Sequence, residues 1–133
     1  MDQSIAPSPA ATADSPDDDV CADFTLNLLE MTFDTVRTRD NEDPARLAAR
    51  CAAVATALDS LQARDPIDQM FAAHAVASHH ATMECFRRAM LAVNDPDAAT
   101  RLHRSAAALS RMMADRVKDL GGRQGQASGG KTP

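Results

Sequence analysis

Apolar residues recur every three or four positions along most of the chain, which is the spacing of one face of an α-helix. The clearest run has the spacing 4, 3, 4, 3 and consists of Leu47, Cys51, Val54, Leu58 and Leu61. Polar breaks that contain proline separate this run from three others. The pattern therefore predicts four amphipathic helices.

Asp-Pro pairs predict where the last three helices begin, at Asp43, Asp65 and Asp95. An aspartate side chain caps the free amides of a helix N-terminus, and proline is well tolerated in the first turn. A Ser-Pro pair makes a similar start for the first helix. We predict helices over residues 16 to 38, 44 to 64, 66 to 93 and 96 to 120. Gly121 and Gly122 are the expected cap of the last helix.

The third predicted helix carries two apolar faces. Its main stripe is Ala72, Val76, His79, Met83, Phe86, Met90 and Val93. Its second face, of smaller residues, is Ile67, Phe71, Ala75 and Cys85. The first helix offers Val20, Phe24, Leu28, Leu29, Met31, Phe33 and Val36, and the fourth offers Leu102, Ala106, Leu109, Met113, Val117 and Leu120. A helix that is apolar on two sides packs between neighbours or in an oligomer.

Composition narrows the fold class. Aromatic residues make up 3% of the chain, and 27 of the 133 residues are alanine, which excludes a β-sandwich or barrel. Short connections place consecutive helices antiparallel. We predict an all-α, up-down antiparallel bundle of three to four helices with disordered termini. A disordered acidic arm (residues 1–15) precedes the bundle (16–120), and a flexible Gly-rich tail (121–133) follows it.

Alanine seams bury little apolar area, so the chain has a modest core for its size. Self-association would supply further burial. No catalytic motif is present: there is no G-x-S-x-G, and all five glycines lie between residues 121 and 130. We therefore predict a protein that is not an enzyme and needs no cofactor.

Histidines offer a weak case for a metal site. His80 and Glu84 are four residues apart on the third helix, and His103 on the fourth could approach them. The H-E-x-x-H pattern is absent. The simpler interpretation of His80 and Glu84 is a surface pair, and a metal-binding bundle remains an alternative.

Charge is divided unequally along the chain. Residues 1 to 43 carry a net charge of -9 and residues 44 to 133 a net charge of +4. One face of the fourth helix holds a candidate phosphate-contact stripe, formed by Arg101, Arg104, Arg111 and Lys118. The simpler interpretation is a solvated helix face. The acidic first helix could also neutralise this stripe, within one molecule or across an oligomer.

The stretch QMFAAHAVASHHATMECFRRAM resembles a set of short bacterial helical proteins. They share the pattern Q-M…H-x-x-x-M-E-C-x-R-R-A-M, which this chain matches at His79, Met83, Glu84, Cys85, Arg87, Arg88 and Met90. That set carries no assigned activity. Within the stretch Glu84 and the two arginines form an i, i+3, i+4 charged cluster. We predict an interaction patch at His79, Met83, Glu84, Arg87 and Arg88.

The function expected from these observations is that of a small, non-enzymatic helical interaction or assembly protein. It would self-associate, or bind a helical protein partner, through its Leu, Ala and Met seams. A nucleic-acid-associated accessory protein is the less favoured alternative. A cytoplasmic location without a membrane partner is expected, because the N-terminus lacks a signal-peptide pattern, no apolar run could span a bilayer, and the three cysteines are widely spaced.

Overall fold

The computed structural model describes residues 16–36 and 41–130, and nearly all of them are helical. The helices are α1 (Pro16–Val36), α2 (Pro44–Ser60), α3 (Pro66–Leu91) and α4 (Pro96–Gly129). No strand occurs among these described residues. The all-α prediction is therefore confirmed. The predicted acidic arm (1–15) lies outside the described residues.

Aspartate caps start α2, α3 and α4 as predicted. The side chain of Asp43 accepts from the amide of Ala45 at 3.3 Å, and proline follows directly in the first turn. Asp65 and Asp95 each accept from the amide three residues later, both at 2.8 Å. Each cap satisfies an amide that has no partner inside its helix. The start of each of these three helices is therefore fixed by a contact between residues two or three positions apart in the chain.

Side-chain pairs along the helices confirm the up-down order. Contacts between α3 and α4 join Asp68 to Arg123 and Phe86 to His103, so the two helices run in opposite directions. Thr25 of α1 donates to the Oε1 atom of Gln69 in α3 at 3.1 Å. Val36 at the end of α1 lies in one cluster with Val76, further along α3. Those two helices are therefore parallel, as two helices separated by one antiparallel helix must be.

The centre of the bundle is α3, which packs against each of the other three helices. On one side its valine Val76 joins Val36 of α1 and Val54 of α2 in a small cluster, which Phe33, Ala57, Leu58 and Leu61 surround. The predicted heptad run of α2 is buried or half-buried throughout. On the other side α3 pairs with α4, and this is the most extensive helix pair of the molecule.

The face of α3 that meets α4 is the face of smaller residues. It is marked at its first turns by Asp68, which contacts Arg123, and by Phe71, which lies under the guanidinium of Arg116. The same 3, 4 spacing continues through residues that are buried or half-buried: Ala75, Ser78, Thr82, Cys85 and Ala89. Small side chains let the two helix backbones lie close together, as expected from the alanine content.

The main apolar stripe of α3 is buried only over its first half. Ala72 and Val76 are buried, but from His79 onward every member is exposed. Two members of the predicted α1 stripe, Val20 and Met31, are exposed as well. Among the described helices, α1 and α2 pack on the first half of α3, and in the second half Phe86 lies against His103 of α4.

The prediction that α4 ends at Gly121 and Gly122 is wrong, because the helix continues into the Gly-rich segment that follows them. The helix continues to Gly129 and has 34 residues, against 26 in α3. A glycine cap requires a positive φ, and no glycine in the described residues has one. At the standard rise α4 is about 50 Å long and α3 about 40 Å, so the last turns of α4 extend past the start of α3.

Candidate functional site

The last turns of α4 are fixed at the turn between α2 and α3. Six residues make up this region, which we call the proximal junction: Gln62, Arg64, Asp65, Asp68, Arg123 and Gln124. At its centre the guanidinium of Arg123 donates from Nε to Asp68 at 2.7 Å and from Nη2 to Asp65 at 2.8 Å. One planar fork thus links two carboxylates in the first turn of α3.

Burial makes this ion pair different from a surface one. Asp68 is 1% exposed and is among the most deeply buried side chains of the described structure. Its second oxygen accepts from the backbone amide of Arg64 at 3.4 Å and lies 3.8 Å from the Nε of Arg64. The hydrogen bond that Asp65 accepts from the amide of Asp68, and then the charge of Arg123, lower the pKa of Asp65 despite some desolvation. The junction is therefore anionic on α3 and cationic on α4.

Gln124 caps the C-terminus of α2. Its amide nitrogen donates to the carbonyl oxygens of Leu61 at 3.0 Å and of Gln62 at 3.1 Å. Carbonyls at a helix C-terminus lack partners within the helix. Gln62 has a φ of 50°, the left-handed conformation in which many helices end. The end of α4 therefore satisfies the end of α2 and the start of α3 together.

Sequence reasoning missed the proximal junction because glycine was interpreted as a helix stop. A signal for it did exist in the spacing. The seam of α4 continues from Leu120 to Gln124 and Ala127 at intervals of 4 and 3, but with polar and small residues in place of apolar ones. The carboxylates of Asp65 and Asp68 are both bound by other parts of the chain, which is the arrangement of a structural contact.

The opposite end of the α3–α4 pair exposes a group of large apolar side chains. We call it the distal surface and define it as Met83, Phe86, Met90, Leu91 and Val93. Their exposed fractions range from 40% for Phe86 to 80% for Val93, and Met90 is 77% exposed. Four members lie in α3, and three of them, Met83, Phe86 and Met90, are spaced 3 and 4, so these three share one face. This face continues the one that α1 and α2 cover nearer the start of α3.

A charged cluster lies beside the distal surface. Glu84 accepts from Arg87 through Nε at 2.7 Å and Nη2 at 2.6 Å, and from the Nε of Arg88 at 2.8 Å. Hydrogen bonds from Arg87 and then from Arg88 outweigh the effect of burial and lower the pKa of Glu84 from its ordinary 4.5 to about 2. The patch predicted from the sequence at His79, Met83, Glu84, Arg87 and Arg88 lies on this part of α3, and its two arginines share one acid.

The histidines do not assemble with acidic or thiol groups. Glu84, proposed above as a partner of His80, is instead bound by the two arginines. Burial, then the neighbouring His79 and Arg50, lower the pKa of His80, while His103 lies against the ring of Phe86 at 6.1 Å. Over the ranges 16–36 and 41–130, no group of three or more His, Cys, Asp or Glu side chains could hold a metal ion.

The basic stripe of α4 is exposed to solvent at all four positions: Arg101, Arg104, Arg111 and Lys118. Two acids, Asp97 and Asp115, share this face by helical spacing and interrupt its positive charge. The exposed acids of α1 include Asp23, Glu30 and Asp34, which are spaced 7 and 4. In the part of the chain that the structure describes, α1 and α4 do not pack together. Neutralisation of the stripe by α1 within one molecule is therefore not observed there.

Among the described residues a cleft of about 510 Å³ opens at the proximal junction and is lined mostly by its charged side chains, Arg64, Asp65, Asp68 and Arg123. Two further open grooves lie between the helices. One, of about 320 Å³, runs between α1, α2 and α3 and is lined mainly by apolar residues, among them Leu28, Leu58 and Ala72. The other, of about 330 Å³, lies where α2 and α4 diverge on either side of α3, and Val76, His80 and Val117 line it. Neither groove gathers several polar groups around one point, as a site for catalysis does.

No protein-family model, curated protein or solved structure matches this chain. Among the helices described, none has both the length and the apolar character needed to cross a membrane.

Proposed function

We propose that this chain is a small, non-enzymatic assembly protein that binds a second copy of itself through exposed apolar helix faces. The observation that supports the proposal is the distal surface. It places five large apolar side chains in one region of a single α-helical hairpin. A contiguous apolar patch on a soluble domain marks an interaction site more often than single exposed residues do.

The small side chains of the core favour the same proposal. In the described residues the only large side chains buried to below 2% exposure are Val54 and Asp68, and the latter is polar. The remaining buried apolar residues are mostly alanines, which contribute little area each. Burial of Met90 and its neighbours against a partner would therefore add substantially to the apolar area that stabilises the fold. Methionine also adapts its shape readily to a partner surface.

Self-association is tested with the full chain by sedimentation equilibrium and light scattering from micromolar to millimolar concentration. The proposal predicts a mass that rises above 14.2 kDa and a melting temperature that rises with protein concentration, because association stabilises the folded state by mass action. A mass of one chain over the whole range, with a constant melting temperature, would contradict it.

A nucleic-acid-associated role is the second candidate. It is supported by the exposure of Arg101, Arg104, Arg111 and Lys118, for which no ion pair is recorded among the described residues. The two acids on the same face argue against a strong phosphate contact. This candidate predicts DNA binding that weakens steeply with salt and is lost in the double variant Arg101→Glu, Arg104→Glu. DNA binding that does not weaken with salt, or that the double variant retains, would exclude this role.

A further inference from the structure

We infer that copies of this chain join head to tail, with the acidic face of α1 in one copy against the basic stripe of α4 in the next. The acidic face is Asp23, Glu30 and Asp34. The inference rests on the proposed self-association and adds to it a contact between two charged surfaces that share no residue with the distal surface. Two observations support it: the opposite charges of the two helices, and their positions on opposite sides of α3.

Charge divides sharply between these two helices. Residues 16 to 36 include six acids and no lysine or arginine, whereas residues 96 to 129 include six bases and three acids. The three acids of the acidic face are spaced 7 and 4, so they share one side of α1, and all three are exposed. Opposite charge on two surfaces draws them together and disfavours contacts between like surfaces.

Neither surface is neutralised inside the chain. Over the ranges 16–36 and 41–130, no ion pair includes a member of the acidic face or of the basic stripe. Asp97 and Asp115 lie among the four bases of the stripe, which leaves that side of α4 with a net positive charge. The stripe therefore attracts the acidic face of another copy.

The two surfaces cannot meet within one copy. Gln69 of α3 accepts a hydrogen bond from Thr25 of α1. Phe71, two residues later, lies under the guanidinium of Arg116 in α4. Two residues turn a helix by about 200°, so α1 and α4 lie on nearly opposite sides of α3. A second copy supplies an acidic face for every basic stripe, whereas a nucleic acid would cover the stripe alone.

Apolar side chains on the same two helices can add burial to the contact. On α1, Leu26 and Met31 are 60% and 65% exposed, and on α4 Met112 is 47% exposed. Leu26 lies four residues before Glu30, so it adjoins the acidic face, and Met112 directly follows a base of the stripe. Their burial would add to the electrostatic attraction.

The contact joins two different surfaces, so it does not close at two copies. When α1 of one copy covers the stripe of the next, one acidic face and one basic stripe stay free at the two ends of the pair. Further copies can add at both ends until the assembly forms a long chain or a closed ring. Light scattering should therefore give masses above that of a dimer as the concentration rises.

The first experiment reverses the charge of one surface at a time in the full chain. All substituted positions are exposed, and circular dichroism checks that each variant folds. Each variant then presents two surfaces of the same sign, so its dissociation constant, from sedimentation at low salt, should rise at least about tenfold. A dissociation constant equal to that of wild type overturns the inference. One variant carries Asp23→Lys, Glu30→Lys and Asp34→Lys, and the other carries Arg104→Glu, Arg111→Glu and Lys118→Glu.

A mixture of the two variants is the matched control, because it restores both pairs of opposite charge without any further substitution. The reversed α1 of one variant meets the reversed α4 of the other, and the two unchanged surfaces pair as in wild type. The mixture, and a single chain with all six substitutions, should both associate as wild type does. If neither restores association, the charges do not act across this contact and the inference is wrong.

Salt distinguishes this contact from an apolar one at the distal surface. Raising the ionic strength to about 1 M shortens the Debye length to about 3 Å, so the head-to-tail contact should be lost, whereas apolar contacts do not depend on charge. Wild-type protein that stays monomeric at every concentration contradicts both proposals, whether or not it binds DNA. If it associates but neither salt nor charge reversal weakens it, the assembly proposal stands and the head-to-tail contact is wrong.

Discussion

The two ends of the α3–α4 pair are stabilised by opposite kinds of contact. At the proximal junction, hydrogen bonds connect residues 55 to 63 positions apart in the chain, from Asp68 with Arg123 to Leu61 with Gln124. Beside the distal surface, Glu84 binds Arg87 and Arg88, three and four positions away on the same helix. The proximal end is a tertiary junction, whereas the charges of the distal end are satisfied locally.

The residues that stabilise the fold and the residues available for an interaction therefore lie at opposite ends of the α3–α4 pair. The proximal junction joins the termini of α2, α3 and α4, so its residues cannot be released without loosening the fold. The ion pairs of Glu84 form within α3, and most of the apolar side chains beside them are exposed in the part of the chain that the structure describes. We therefore expect changes at the proximal end to alter folding, and changes at the distal end to alter association.

The largest effect is expected from Arg123→Ala, which leaves the buried carboxylate of Asp68 without its main partner. Because the carboxylate of Asp68 is buried while Arg123 is partly exposed, loss of this partner should lower stability more than loss of an exposed ion pair does. The matched control is Arg116→Ala, on the same helix and equally exposed at 36% against 37% for Arg123. Its pair with Asp119 is exposed and its contact with Phe71 is modest, so it should cost about 1 kcal/mol or less.

The measurement for this comparison is the free energy of unfolding in urea. Amide hydrogen exchange in residues 121 to 129 provides a second readout, because Arg123→Ala should speed exchange there before the rest of the molecule unfolds. Equal losses of stability in the two variants would show that the proximal junction is no stronger than a surface pair.

An intermediate effect is expected where the sequence pattern and the structure disagree. Gly121 and Gly122 lie inside α4, and an added Cβ meets no atom within 4 Å at either position. Replacement by alanine should stabilise the protein by up to about 1 kcal/mol each. Ala127→Gly, in the same helical segment, should have the opposite sign. If the two glycines ended the helix with positive φ, the alanine variants would instead be destabilised, as thermal unfolding would show.

The smallest effect is expected from Glu84→Gln, which removes the carboxylate that binds Arg87 and Arg88 beside the distal surface. Exposed pairs within one helix contribute about 0.5 kcal/mol each, so the loss should be under about 1 kcal/mol. The folded-state pKa of Glu84 is lowered, so its contribution is complete above the ordinary value of 4.5 and disappears as the pH falls towards about 2.

Thermal unfolding of wild type and Glu84→Gln across this acidic range measures that contribution. The difference in stability between the two proteins should shrink steadily as the pH falls. A difference that stays constant over the same range would show that the ion pairs of Glu84 do not form in solution.

The patterns that the sequence predicted correctly are those whose cause is local. Asp43, Asp65 and Asp95 start helices because each side chain bonds an amide two or three residues away. The buried face of α2 was also predicted correctly. This helix turns a single face towards the core, and the spacing of its apolar residues is enough to identify that face. For the charged patch, the sequence alone indicated that Glu84, Arg87 and Arg88 lie together.

Other features depended on residues far apart in the chain. Periodicity shows that α3 has two apolar faces, but it cannot say which of them α4 will cover or how far α1 and α2 will reach along the other. Glycine lowers helix propensity, yet the propensity of Gly121 and Gly122 says nothing of Arg123 and Gln124, whose bonds to the start of α3 and the end of α2 offset that cost. The sequence by itself determined four helices, their starts and their antiparallel order, because these follow from bonds and spacing within a few residues. Only the tertiary structure decided where α4 ends and which apolar face stays uncovered, because both depend on what distant parts of the chain can reach.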